Sequence, residues 1–438
     1  MIAPAFDAHH PPPTDIIDKC VHCGFCLTSC PTYVLWGKEM DSPRGRIDLM
    51  KAAGAGEAAM TAVWVHHFDT CLGCMACTTA CPSGVDYGKL IEATRAQIER
   101  RYKRPSLDKL YRRLLFGVLA SPSRLRLLRV LLSVYQRSGV QALIRRVGAM
   151  NMLPRRLQAL DALTPTLAPR ESVPPVTPAA GERERRVGLV TGCVQSVFLS
   201  PVNAATARML AAEGCEVVAP AGQPCCGALL MHAGEESRAL ACARRMIETF
   251  ETANVETIVS NAGGCGSNLK EYGYQLRDDP AYAGRAARFS ARCRDVAELL
   301  AEIPPKGARH SLPLRVAYHE SCHLQHAQGV RTQPRHLLSQ IPGVQLLEIP
   351  EGGICCGSAG IYNLVQPSTA ADLGRRKAEL IAALRPDVVA TGNPGCVLQI
   401  QSALAATGER IPVMHTIQLL DASMRGQDLR QPRERTGN

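Results

Sequence analysis

The chain has 438 residues and a formal net charge of +11, with 46% hydrophobic and only 4% aromatic residues. That length exceeds one compact core and calls for several domains, and the low aromatic content leaves no stacking platform for single-stranded nucleic acid. The opening MIAPAFDAHHPPPTD has neither a basic n-region nor an apolar h-region, and no uncharged apolar run reaches 18 residues, which speaks against a cleaved export signal and a membrane-spanning helix.

In a chain expected to be cytoplasmic, 19 cysteines point to metal or redox chemistry rather than to structural bridges. The first eight fall in two runs, CVHCGFCLTSCP (20–31) and CLGCMACTTACP (71–82), both spaced C-x2-C-x2-C-x3-C-P. This is the bacterial ferredoxin run for a [4Fe–4S] cluster, whose fourth cysteine leaves the loop at a helix start and serves the neighbouring cluster. The expected ligand sets are therefore Cys20, Cys23, Cys26 and Cys81 for one cluster, and Cys71, Cys74, Cys77 and Cys30 for the other. Zinc or reduced structural thiols are the alternative, but a zinc site does not need a third close cysteine or the trailing proline. Between the runs, PRGR (43–46) supplies Arg44 and Arg46, either as ion-pair formers or as positive charge near a cluster. His66-His67 precedes the second run, where hydrogen bonding to sulfur is one expected role.

Residues 1–100 thus read as a helical ferredoxin-type domain, followed by a basic helical segment, 101–162. From Arg95 to Arg156 there are sixteen Lys or Arg against two acids, Glu99 and Asp108. LLFGVLASPSRLRLLRVLLSVYQ has helical leucine spacing, broken near Ser121-Pro122. Such a segment suits an acidic protein partner or an anionic membrane surface. LTPTLAPRESVPPVTPAAGERERR (163–186) reads as an extended, solvent-exposed linker.

Past the linker the chain repeats itself. Cys193 in RVGLVTGCVQ matches Cys322 in RVAYHESCHLQ, QPCCGA (223–228) matches ICCGSA (354–359), and Cys265 matches Cys396, at offsets of 129, 130 and 131. Three motifs in the same order at a near-constant offset indicate duplication, with segments 187–309 and 310–438. Each copy alternates strand and helix, for example Ser200-Pro201 as N-cap and first helical residue of a helix stopping at Gly214. That alternation implies a parallel sheet with its site at the carboxyl ends of the strands. Fold class is α+β multidomain: a helical two-cluster domain, then two α/β repeats. His319, His323 and His326 in HESCHLQH would share one face of a helix, near a metal or a quinone. Cys215, Cys242 and Cys293 lie outside any motif.

CVHCGFCLTSCPTY, DSPRGRIDLMK, CPSGVDYG, NAGGCGSNLKEYG and CCGSAG resemble the iron–sulfur subunit of bacterial glycolate oxidase, over nearly the whole chain. The resemblance implies an electron-transfer subunit. A separate FAD flavoprotein would oxidise glycolate, and this chain would pass electrons towards the quinone pool from the inner face of the cell membrane. Equivalent subunits of lactate or anaerobic glycerol-3-phosphate dehydrogenases share most motifs. Each repeat also resembles the CCG domain of heterodisulfide reductases, whose pattern ends in C-x2-C and can hold a non-cubane cluster. Both copies depart from that pattern, with Ala262 and Asn393 where a cysteine is expected. Cys193, Cys225, Cys226 and Cys265, and Cys322, Cys355, Cys356 and Cys396, remain as candidate ligands of a further centre or as redox thiols. A reductase acting at these cysteines is the competing function, and a nucleic-acid partner is not expected.

Overall fold

A computed structural model describes residues 5–167 and 169–429; the ends of the first and last sequence segments, 1–4 and 430–438, and Ala168 in the proline-rich stretch lie outside the described residues.

The N-terminal part is helical. Pro31 opens a helix (Pro31–Trp36) with Cys30 in the N-cap position, and the helix stops at Gly37 in the left-handed region. The helix Pro43–Gly54 is capped by Ser42, whose Oγ accepts from the Gly45 amide, and Ala62–Asp69 is capped in the same way by Thr61. With Tyr87–Arg101 these helices bury Met50, Trp64, Phe68, Leu90 and Ile98 in one core. The last of them runs past residue 100 without a break.

The basic segment folds as helices Ser106–Leu119, Pro122–Arg137, Val140–Arg146 and Arg155–Ala162, broken at Ser121-Pro122 as expected. Leu115 and Phe116 close over Leu230 and Met231 of the first repeat and Ile361 and Leu364 of the second.

Nine strands among the described residues form two sheets: β1 Val176–Thr177, β2 Arg185–Val190, β3 Cys215–Val218, β4 Thr257–Ser260, β5 Cys293–Asp295, β6 Arg315–His319, β7 Gln345–Glu348, β8 Val388–Thr391 and β9 Val413–His415. The first sheet runs β1-β3-β2-β4-β5 and the second β7-β6-β8-β9. Apart from β1 every pair is parallel, and the two orders coincide strand for strand. The linker is not wholly extended in solvent. Val176 and Thr177 pair antiparallel with Val218 and Val217, so part of the linker covers the open edge of β3, and β2 begins at Arg185. Ser200 is the first residue of the helix Ser200–Ala212 rather than its cap; its Oγ accepts from the Glu171 amide.

The two repeats share one core. Leu210, Val259 and Leu299 of the first meet Tyr318, Leu337, Val388 and Ile417 of the second. Arg208 bridges the halves with two bonds to the Asp421 carboxylate, at 2.8 and 2.6 Å.

The N-terminal domain sits on both repeats. Arg95 donates to the His232 carbonyl (2.7 Å) and to the Phe68 (3.1 Å) and Cys71 carbonyls, and Tyr362 donates to the Thr70 carbonyl at 3.0 Å. At this contact Gly234 has φ +85, and a Cβ there would lie far inside contact distance of the Arg95 carbonyl. Gly234→Ala is expected to cost about 1–3 kcal/mol through left-handed strain and overpacking, read as a lower thermal midpoint, with the Gly37→Ala variant, which meets no neighbour, losing less.

Candidate metal centres

In the structure Cys30 and Cys81 each approach the cysteines of the other run. Cys30, from the end of the first run, joins Cys71, Cys74 and Cys77 around one buried pocket with Thr32, Arg46 and Tyr87. Cys81 leaves the second run before a turn at Pro82–Ser83, not at a helix start, and returns to Cys20, with Cys23 also nearby. Cys26 has Cys20 and Cys30 as neighbours, and burial pushes its thiol up to about 11. The two sets differ in exposure. Cys23 is exposed and Cys20, Cys26 and Cys81 are half-buried, whereas Cys30, Cys71, Cys74 and Cys77 are all buried. Burial drives the Cys74 and Cys77 thiols well above their ordinary value, so thiolates there need a cation or a bound metal to balance them.

Arg46 supplies one such charge. It is 1% exposed and donates to the His67 carbonyl (2.6 Å), to Thr32 Oγ1 (3.3 Å) and to Thr70 Oγ1 (3.2 Å), with Asp41 at 3.6 Å. Burial opposes its charge, yet Cys71, Tyr87, Cys30 and Asp41 hold its pKa above the ordinary value. Arg44 instead lies nearer the surface, bonded to Glu39 at 2.6 and 3.1 Å and to the His22 carbonyl at 3.0 Å. Arg44 thus forms an ion pair near the surface, whereas Arg46 combines an ion pair to Asp41 with a place beside the buried cysteines. The expectation for His66-His67 fails. The His67 ring turns to Asp41, with Nδ1 at 2.8 Å. Sulfur's partners are Thr32 Oγ1, at 3.2 Å from Cys30 Sγ, and two donors to Cys71 Sγ: the Gly73 amide at 3.4 Å and the Tyr87 hydroxyl at 3.8 Å.

The eight cysteines of the repeats line one cavity of about 250 Å³, where the carboxyl ends of the strands of both sheets meet. Cys193 and Cys322 follow β2 and β6, Cys225-Cys226 and Cys355-Cys356 follow β3 and β7, and Cys265 and Cys396 sit on the helices Gly263–Lys270 and Pro394–Ala406 that follow β4 and β8. Leu128, Leu132 and Leu163 of the basic segment and linker close one side of the cavity. The repeats touch here: the Gly263 amide donates to the Gly392 carbonyl (3.0 Å) and the Gly264 amide to Asn393 Oδ1 (3.2 Å). Asn393, one of the two departures from the cysteine pattern, also donates to Cys396 Sγ at 3.5 Å.

Cys193 donates to Cys225 at 3.5 Å, and the Gly227 amide donates to the same sulfur at 3.4 Å. Gly227 is left-handed (φ +85), with the Ala239 backbone against it, so only glycine presents its amide there. Hydrogen bonds from Cys193 and Cys226 hold the Cys225 pKa well below the ordinary thiol value, and those from Cys322 and Cys356 do the same for Cys355.

The three histidines of HESCHLQH do not share a helix face. His319 ends β6, while His323 and His326 lie on a π-helical turn, His323–Ala327. His323 Nδ1 lies 3.5 Å from Cys322 Sγ and its ring packs on His232, centroids 4.8 Å apart; burial pushes its pKa down to about 3. His326 Nδ1 is 2.9 Å from Thr79 Oγ1 and ties the second cysteine run to the second repeat. Cys242, expected to be an ordinary cysteine, packs beside Cys193 and Cys225. Nothing in its local sequence signals this, because the helix Glu236–Glu251 carries no cysteine motif. Cys215 and Cys293 are buried within β3 and β5. The two cysteine systems meet where Cys74 and Leu72 share an apolar cluster with Cys322, Cys355 and Tyr362.

Comparison with known proteins agrees with this layout. The family described as "4Fe-4S dicluster domain" matches residues 16–85, "Glycolate oxidase iron-sulfur subunit, linker region" matches 107–164, and "Cysteine-rich domain" matches 187–270 and 316–401. The chain is 36% identical to the probable glycolate oxidase iron-sulfur subunit of Bacillus subtilis, covering 92% of this chain and 93% of that one. It is 36% identical to the glycolate oxidase iron-sulfur subunit of Escherichia coli, covering 93% and 94%. Lactate utilization protein A of Bacillus licheniformis is 31% identical over 54% of this chain and 99% of its own length.

Arg46→Met removes the donor to Thr32, Thr70 and the His67 carbonyl and the cationic neighbour of Asp41, which keeps the His67 ring and the Thr70 hydroxyl. An expected loss of about 1–3 kcal/mol follows from leaving the buried His67 carbonyl without its donor, measured by chemical denaturation under anaerobic conditions. Arg46→Lys should recover only part of it, because an ammonium lacks the planar fork.

Proposed function

The chain belongs to the family of glycolate oxidase iron–sulfur subunits, and from that premise we propose that it carries electrons from a partner FAD flavoprotein that oxidises glycolate to glyoxylate, towards a quinone acceptor. Two [4Fe–4S] clusters are assigned to Cys20, Cys23, Cys26 and Cys81, and to Cys71, Cys74, Cys77 and Cys30. When bound, such clusters take up and release electrons one at a time, and so would accept singly the electron pair that oxidation of the hydroxy acid leaves on the flavin.

The observation that carries the reading is a graded series of cysteine sites. The first set opens to solvent at Cys23, the second is buried, and Cys74 of the second packs with Cys322 and Cys355 of the repeats. The chain's own residues set this order. Helices 31–36 and 43–54 shield the second set from water, Arg46 places positive charge beside it, and Gly73 and Tyr87 point donors at the Cys71 sulfur. The eight cysteines of the repeats are the candidate ligands of a further centre, next in line.

The partner's docking face is proposed at the first loop, where Val21 and Phe25, each 66% exposed, flank Cys23. The basic segment is proposed to rest on the inner face of the membrane. Thirteen of the eighteen large apolar side chains exposed among the described residues lie between Leu107 and Leu157, interleaved with exposed arginines such as Arg113 and Arg126, the composition of an interfacial amphipathic surface. No helix among the described residues is long and apolar enough to cross a membrane. The full-length match to the glycolate relatives favours glycolate over lactate, whose relative matches about half the chain. Ala262 and Asn393 count against an independent reductase at the repeats.

Affinity capture from the native host under anaerobic conditions is expected to bring down FAD and dye reduction fastest with glycolate among glycolate, D-lactate, L-lactate and glycerol-3-phosphate. No flavin and no hydroxy-acid activity would sink the proposal. Phe25→Asp should weaken flavoprotein capture by tenfold or more while leaving iron content unchanged. Cys77→Ala should remove about four irons, the content of one cluster, and Cys30→Ala should remove the same four, since both belong to the buried set.

A further inference from the structure

A second cleft lies away from the cysteines. It has a volume of about 1080 Å³ and runs between the helix Ser106–Leu119 of the basic segment and the start of the helix Glu236–Glu251 in the first repeat. Eight of its lining side chains are Lys or Arg and three are Glu, so the question is which cations are left without a partner. The three glutamates are all engaged: Glu99 by Arg104 (2.7 Å), Glu235 by Arg238 (3.2 Å) and Glu236 by Arg100 (3.0 Å). Arg112 and Arg244 are held from outside the lining by Asp108 and Asp279. Among the described residues, no carboxylate pairs with the remaining three, Lys109, Arg113 and Arg124.

These three stand in one row. Lys109 and Arg113 are one helical turn apart, so their side chains are neighbours on one face. The next position in the row is Gly117, and Arg124 fills it. Its Nη1 donates to the Gly117 carbonyl at 2.8 Å and lies 3.3 Å from where a Cβ of residue 117 would be. The glycine thus leaves room for a guanidinium from the next helix to extend the row by one turn. Like charges a turn apart repel, and no carboxylate of the cleft relieves them, so the row calls for an anion from outside.

An apolar row runs beside the cationic one. Leu110, Leu114 and Val118 each follow the basic row by one residue and line the same cleft, and the two leucines are 53% and 60% exposed. Inorganic phosphate has no use for that second row, and no Phe, Tyr or Trp lines the cleft to stack a nucleotide base. An amphiphile with an anionic head and hydrocarbon chains uses both rows. The two helices that supply the rows also expose Leu107, Leu127, Val130 and Leu131 outside the cleft, apolar surface that a bilayer covers and a single acidic peptide in the cleft does not.

We infer that this cleft binds the phosphodiester head of an anionic phospholipid, with Lys109, Arg113 and Arg124 donating to the phosphate and Leu110, Leu114 and Val118 against the first carbons of its chains. The inference rests on the proposed contact between the basic segment and the membrane, and it locates that contact at one lipid site. A head group held there turns the exposed leucines of helix 106–119 towards the bilayer, which fixes the orientation of the chain on the surface.

The test is flotation of the full chain, purified anaerobically, with vesicles of phosphatidylcholine alone and of equal parts phosphatidylcholine and phosphatidylglycerol. Co-flotation is expected with the mixed vesicles only. Lys109→Gln, Arg113→Gln and Arg124→Gln combined should lower the partition by about a hundredfold, at roughly fivefold per removed charge. Arg126→Gln, Arg137→Gln and Arg146→Gln, which remove as many exposed charges outside the cleft, should lower it far less. Native mass spectrometry with short-chain phosphatidylglycerol should show one lipid per chain that inorganic phosphate does not displace and that Leu110→Asn with Leu114→Asn weakens. About eight irons in every variant, the content of two four-iron clusters, reports that the fold is kept. Equal losses from the two charge sets would overturn the cleft and leave the membrane contact standing, whereas no flotation with either vesicle would overturn both. Phosphate that binds as well as the lipid, indifferent to the leucine changes, would rule out a lipid ligand. Flotation that survives the cleft variant while flavoprotein capture is lost would reassign the cleft to an acidic protein partner.

Discussion

Everything in this molecule is arranged around the burial of the second cysteine loop. Thr70 to Thr79 lie between the helical domain and the duplicated half, and each side grips the loop backbone. Arg95 donates to the Cys71 carbonyl, Tyr362 to the Thr70 carbonyl, and His326 meets the Thr79 hydroxyl. Buried thiolates are costly without compensating charge. The compensation comes from Arg46, itself fixed by four oxygen-bearing neighbours, so the loop, the arginine and the domain contact stand or fall together.

Duplication explains how the remaining cysteines come to one place. A parallel sheet directs the loops at its carboxyl strand ends to one edge. Two such sheets with the same strand order, packed through a shared core, bring those edges face to face. The two positions that depart from the cysteine pattern then acquire separate uses. Asn393 spans the seam, accepting from Gly264 and donating to Cys396, while Ala262 is buried at the start of its helix with no polar atom to satisfy. The asparagine at the departing position of the second repeat is thus a contact between repeats.

What the sequence made legible followed from spacing. The ferredoxin runs predicted Cys30 with Cys71, Cys74 and Cys77, because three cysteines on a tight loop leave the fourth free to cross. The offsets of the repeated motifs predicted two equivalent sheets, because a duplicated core forces a duplicated topology. Properties that depend on a neighbour distant in sequence stayed hidden. Cys242 reaches Cys193 and Cys225 through helix packing that no local pattern encodes. The histidines of HESCHLQH looked like one helical face, but the strand extends to His319 and the turn after it is π-helical, which changes the angular step between them. The linker's short strand was masked by prolines, and its cause is the unpaired edge of β3 rather than any strand propensity of its own.

In the proposed relay, exposure sets the direction. An electron carrier must meet its donor at the surface, yet needs a dry interior so that its potential is set by fixed groups rather than by water. Here the two demands fall on different cysteine sets. Val21, Cys23 and Phe25 open the first to the surface, and the second is buried. Beyond it lies a cavity roofed by leucines of helices whose outer faces are themselves apolar and basic. The same helices therefore separate a thiol-lined interior from whatever surface they rest on, and only a few leucine side chains divide the two. In the proposed relay this short apolar boundary at Leu128, Leu132 and Leu163 faces a lipid-soluble acceptor, while the entrance at Cys23 opens to solvent between the exposed Val21 and Phe25.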